Sequence, residues 1–205
     1  MKGETTRIQY EGMKSEASTA GYPMLPAGPY IAAIKAVKID GTVPNQSLVL
    51  RLEIAEGEHK DYFSKRYAHD QQGNSKYAPR YRGDYRLRIP HPNSSSPYPD
   101  SDKRRMNDAI YRIEGSNPDF HWDGDENKLV GKAVGISMQE GTYNDAPFTA
   151  IGRLEIVDDI RKGLITKMKP RKPAYSADYQ AQVQAEQNAA GGFTSVEGDD
   201  VDIPF

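Results

Sequence analysis

The stretch SLVLRLEIA, residues 47–55, alternates cleanly: Leu48, Leu50, Leu52 and Ile54 fall on one face, Arg51 and Glu53 on the other. That is the period of a half-buried strand. PYIAAIKAVKI, 29–39, predicts a strand before it, entered through Gly28-Pro29, and the intervening DGTVPNQ supplies turn chemistry. DYFSKRYAH, 61–69, reads as a third strand, followed by the loop DQQGNSKYAP. RYRGDYRLRI, 80–89, alternates again and makes that third strand long or split. Tyr81, Tyr85, Leu87 and Ile89 point one way, Arg80, Arg82, Arg86 and Arg88 the other.

PHPNSSSPYPDSD, 90–102, is too rich in Pro and Ser for regular structure. It leads into a predicted helix capped by Ser101 or Asp102. Met106, Ala109, Ile110 and Ile113 then form one apolar stripe at i, i+3, i+4 and i+7, and Gly115 is the expected stop. LVGKAVGISMQEG, 129–141, and FTAIGRLEIVDDI, 148–160, predict two more strands joined by TYNDAP. Three strands, a helix and two strands is the order of the OB-fold, a five-stranded Greek-key barrel whose strand 2–3 face and loops bind oligonucleotides. The expected class is therefore mainly β, an OB-fold barrel with one helix between strands 3 and 4, plus a disordered acidic C-terminal tail. The expected domains are a flexible N-terminal arm (1–27), the barrel (28–160), a basic then low-complexity linker (161–196) and an acidic tip (197–205).

Composition narrows the class. Eighteen Gly and fourteen Pro in 205 residues favour loops and short strands over long helices. Cys is absent, so disulfides, thiolate zinc sites and cysteine nucleophiles are excluded together. No apolar run approaches the roughly 20 residues of a membrane span, and MKGETTRIQYEG lacks a signal-peptide core. An intracellular, cytoplasmic protein is the expectation.

The net charge of -2 conceals a segregated pattern. Residues 60–105 hold eleven basic and five acidic side chains, a net of +6, and RKGLITKMKPRKP, 161–173, is basic throughout. Residues 174–205 contain no Lys or Arg and carry -6. Aromatic residues fall inside the same basic stretch, and that combination suits a single strand of nucleic acid. Cations neutralise phosphates, while flat rings stack on unpaired bases. The candidate DNA-binding residues are Tyr62, Phe63, Lys65, Arg66, Tyr67, Lys76, Tyr77, Arg80, Arg82, Arg86 and Arg88. If the arginine row lines a groove, Tyr81 and Tyr85 belong to the core instead.

Catalytic constellations are poor. His59, His69, His91 and His121 form no HxxxH or HExxH pair, and there is no GxxxxGK[ST] loop or GxSxG elbow. His121-Trp122-Asp123-Gly124-Asp125-Glu126 is an acidic loop that could be imagined as a nuclease metal cluster. The expectation is a chain with no catalytic residues, metal or cofactor.

At the C-terminus Asp199-Asp200-Val201-Asp202-Ile203-Pro204-Phe205 resembles the acidic tip of bacterial and bacteriophage single-stranded DNA-binding proteins, commonly Asp-Asp-Asp-Ile-Pro-Phe, with Val201 in place of one acid. The body, LPAGPYIAAIKAVKI…LVLRLEIAEGEHKDYF with a late LEIVDDI strand, resembles phage-encoded binding proteins of that function over about residues 25–160. The resemblance implies non-enzymatic, largely sequence-independent single-strand binding in phage DNA replication, recombination and repair, within the host bacterial cytoplasm. It also implies that Asp199, Asp200, Asp202, Ile203, Pro204 and Phe205 recruit replication, recombination or repair proteins. A pocket would take the Phe205 ring, and a basic residue its carboxylate. The alternatives are a metal-dependent nuclease using Asp123 and Asp125, or a recombination mediator carrying the same tip. Homo-oligomerisation is left open.

Overall fold

A computed structural model describes residues 22–74, 78–143 and 146–171. Five antiparallel strands form one open sheet in the order β3-β2-β1-β4-β5. They are β1 (Gly28–Asp40), β2 (Ser47–Ile54), β3 (Asp84–Arg88), β4 (Ala133–Tyr143) and β5 (Ala146–Glu155). Among the described residues three α-helices accompany them: α1 (Tyr62–His69), α2 (Pro99–Ser116) and α3 (Val157–Arg161). Among the described residues no ladder joins β3 to β5. Instead α2 packs against β3, β4 and β5, so it lies against both free edges of the sheet.

Cross-strand register sets the two faces, because directly opposed residues share a side. Ile34 opposes Leu52, Val37 opposes Leu50 and Ile39 opposes Leu48 on the inner face; Tyr85 and Leu87 of β3 extend the last two rows. The expected helical stripe closes this core. Met106, Ala109 and Ile113 are buried and Ile110 half-buried. The helix begins earlier than expected, with Tyr98 as cap and Pro99 in the first turn, where a missing N–H costs nothing. It ends at Ser116, one residue past Gly115.

β1 contains a bulge. Ile34 opposes Leu52, but Ala36 opposes Arg51, so Lys35 is an extra residue on β1. Ala32 and Ile34 point into the core. Beyond the bulge the alternation is offset by one, and Ala36, Lys38 and Asp40 share the outer face with Arg51 and Val49 of β2.

The largest departure from the expected elements is at 61–69, which is helix α1 and not a strand. The cause is tertiary. Glu53, only 2% exposed, presents its carboxylate to the start of α1. Its Oε1 accepts from the amides of Ile54 and Phe63, each at 3.0 Å, and its Oε2 from Ser64 N at 2.8 Å and from the Ser64 hydroxyl. A helix start leaves unpaired N–H groups and a positive dipole end, and one buried carboxylate answers both. Periodicity places Glu53 on the outer face correctly, but α1 covers that end of β2. Gly83 makes the covering compatible with β3: a Cβ there would lie 2.3 Å from the Leu52 carbonyl oxygen and 2.8 Å from the Phe63 ring.

Residues 22–27, expected to belong to a flexible arm, are docked. Leu25 is buried; its amide donates to Tyr62 Oη at 2.9 Å and its carbonyl accepts from Thr149 Oγ1 at 2.8 Å. The basic segment after α3 is also held to the domain as far as it is described. Arg171 N donates to Glu140 O at 2.8 Å, Arg171 Nε to Gln139 Oε1 at 2.9 Å, and Gln139 Nε2 to Lys169 O at 2.7 Å. The acidic tip, 197–205, and the rest of the expected linker lie outside the described residues, as do residues 1–21.

Candidate nucleic-acid interface

Three registered rows cross β1, β2 and β3 on the outer face: Ala36–Arg51–Asp84, Lys38–Val49–Arg86 and Asp40–Ser47–Arg88. Four cations and two carboxylates therefore stand on one strand-built surface. A shallow cavity of about 250 Å³ lies among Ala36, Val37, Lys38, Val49, Arg51 and Asp84. Val49 is only 4% exposed although it points outward, which makes the cavity floor aliphatic.

Most of these cations have a carboxylate beside them. Arg51 forms a two-pronged pair with Asp84, Nε to Oδ1 at 2.9 Å and a terminal nitrogen to Oδ2 at 3.0 Å. Arg86 reaches Asp40 Oδ2 at 2.5 Å, and Arg88 lies 3.9 Å from Asp102. The hydrogen bond from Arg86, with the charge of Lys38 nearby, holds the Asp40 carboxyl below the usual carboxylate range. Lys38, Arg80 and Arg82 have no carboxylate within 4 Å among the described residues. All three are exposed.

Arg51 is held from below as well. Its guanidinium lies over the Tyr81 ring, 4.7 Å from the centroid, within cation–π range. The Tyr81 hydroxyl lies 2.9 Å from both Leu52 O and Glu53 Oε2. Burial, then the adjacent Glu53 carboxylate, raise the Tyr81 pKa well above the ordinary phenol range. Tyr67 completes the group with a T-shaped contact to Tyr81 at 6.0 Å.

The sequence-derived candidates divide. Arg86 and Arg88 stand on β3 and face outward as expected. Arg80 and Arg82 are exposed but precede the strand, so the row of four arginines on one strand is not formed; Asp84 takes the next outward position. Tyr62 and Phe63 are core side chains, 6% and 1% exposed, with no ring face open to a base. Tyr62 Oη donates to Pro23 O at 2.7 Å and accepts from Arg66 at 3.1 Å, which turns Arg66 inward. Lys65 is exposed and donates to Lys60 O at 2.9 Å. Tyr67 is half-buried, and Tyr85 belongs to the core. Lys76 and Tyr77 fall outside the described residues.

Sequence reasoning passed over Lys38, Arg51 and Glu53. Arg51 was nonetheless visible as the lone cation on the outward face of the best-patterned strand. The loop at 121–126 is used locally. Asp123 pairs with Lys128 at 2.5 Å, and Asp125 accepts from Asn127 N at 3.0 Å in a short helical turn. Among the described residues no three His, Asp or Glu side chains converge, and no helix is long and apolar enough to cross a membrane. No protein-family model matches this chain, and no curated protein is detectably similar to it.

Proposed function

We propose that this chain binds single-stranded DNA without catalysing a reaction. The domain is read as a partly open OB-type barrel: linking β5 to β3 would close the five strands, and α2 lies against both of those edges. The observation that carries the reading is the outer face of β1–β3, where Lys38, Arg51, Arg86 and Arg88 surround an aliphatic floor beside the Tyr67–Tyr81 pair. Cations with flat or apolar surface between them suit a phosphate backbone whose bases are unpaired. Arg82 and Arg80 extend the positive surface from one end. The acidic tip supplies the second half of the role, recruitment of replication, recombination or repair proteins in phage DNA metabolism.

Fluorescence anisotropy with labelled oligo-dT and with a duplex of equal length tests this. Single strands are expected to bind more tightly. The log–log salt slope should rise by about 0.7 for each phosphate neutralised, and Lys38→Gln should remove about one such increment. Equal affinity for duplex, or no binding of oligo-dT at low salt, overturns the reading.

A further inference from the structure

We propose that Arg51 is a preassembled stacking platform for one unpaired base, and not a phosphate-neutralising cation. The proposal rests on the single-strand reading above and assigns a specific role within that surface. Three observations carry it. First, the two-pronged pair with Asp84 fixes the guanidinium plane and already balances its charge. A guanidinium so occupied gains little from a phosphate, but it keeps a flat face. Second, the Tyr81 ring supports the group from one side, and the ring is itself fixed through Leu52 O and Glu53. Planarity is what separates arginine from lysine at a stacked site. Third, Arg51 lines the shallow cavity whose floor is Ala36 and Val49. That recess offers apolar contact to a base edge, and no aromatic ring lines it, so the guanidinium is the flat surface present there.

The occupant is a single nucleobase, unselective in identity, since every base has a π-face and guanidinium planes stack on unpaired bases. Lys38 borders the same recess without a carboxylate partner among the described residues. It is the group placed to meet the adjoining phosphate.

The test uses the full chain and oligo-dT containing one 2-aminopurine, a base whose fluorescence changes on stacking. Arg51→Ala and Arg51→Lys should each weaken binding about tenfold at every salt concentration. The salt slope should stay as in the wild type, and the 2-aminopurine signal on binding should fall. Thermal unfolding of both variants should remain cooperative, because Arg51 is a half-exposed surface residue. Wild-type affinity and signal in Arg51→Lys would overturn the proposal, since charge alone would then suffice. A slope lowered by about 0.7 in Arg51→Ala would overturn it too, by making Arg51 a phosphate contact. Failure of the wild-type chain to bind oligo-dT is a separate outcome, which removes the single-strand reading itself.

Discussion

Replacing Glu53 with Gln exchanges one carboxylate oxygen for an amide nitrogen and should cost about 2 kcal/mol of stability. The magnitude follows from which donors surround each carboxylate oxygen. If the new amide nitrogen takes the Oε1 position, it meets the N–H groups of Ile54 and Phe63, and both are stranded. If it takes the Oε2 position, it meets Ser64 N–H, the Ser64 hydroxyl and the Tyr81 hydroxyl. The hydroxyls can turn, and Tyr81 already has Leu52 O at 2.9 Å, so only the Ser64 N–H is left unmatched. The second placement wins. One unsatisfied amide costs about 1–3 kcal/mol, and loss of the negative charge at the start of α1 adds about 0.3–1 kcal/mol. Losing a buried charge returns part of that by relieving its desolvation. Glu53→Leu leaves all three amides, those of Ile54, Phe63 and Ser64, unmatched and should exceed the Gln variant. Urea unfolding midpoints measure the difference, and amide exchange at Phe63 and Ser64 locates it. A loss below about 0.5 kcal/mol, or exchange unchanged at those two amides, would refute the claim that Glu53 builds α1.

Tyr81→Phe should alter the alkaline limb of stability. The folded phenol has a raised pKa, so its contribution is fully present below the ordinary value near 10 and is lost as pH rises toward the folded value. Wild-type melting temperature should therefore fall more steeply above about pH 10 than that of Tyr81→Phe; parallel curves would show that Tyr81 is not the responsible group. Arg112→Met should destabilise the domain by about 1–3 kcal/mol, because one oxygen of a buried carboxylate loses its partner while the other stays paired. Glu155, fully buried, keeps Ser137 Oγ and Arg153 on one oxygen but loses the Arg112 contact at 2.6 Å on the other. The double variant Arg112→Met/Glu155→Leu should regain part of the loss in denaturant titration. A single-variant cost under about 1 kcal/mol would remove that network from the account.

Periodicity was a reliable guide to the core-facing side of an element. The inner face of β2 and the buried stripe of α2 follow directly from spacing two and spacing three-to-four, whereas the burial of Val49 and Glu53 on the other face of β2 does not. It failed at 61–69, where Tyr62, Phe63 and Tyr67 carry strand propensity but the deciding partner, Glu53, lies ten residues from Phe63 in sequence. The same event removed Tyr62 and Phe63 from the surface. Alternation alone could not reveal that an outward-facing acid would be covered by a helix. The arginines were legible as a positive surface, but the carboxylates that pair with them, Asp40 and Asp102, come from β1 and α2. Local composition cannot show which charges are already spent on each other. Arg51 was written plainly in the alternation of β2; its value depends on Tyr81 and Asp84, brought beside it only by the β2–β3 ladder.

The extra residue at Lys35 has a consequence for how such a surface can arise or be lost. Because side chains alternate with period two, Lys35 as an ordinary strand residue would turn Val37 and Ile39 outward and point Lys38 at the core. The bulge absorbs that mismatch, so Ala36 still opposes Arg51 and Lys38 still opposes Val49. Removing Lys35 would leave those pairs in register and only straighten the strand. One residue added or lost elsewhere in β1 has no such slack and would exchange the faces beyond it. Among divergent relatives, a gap at position 35 is therefore compatible with the same outer surface.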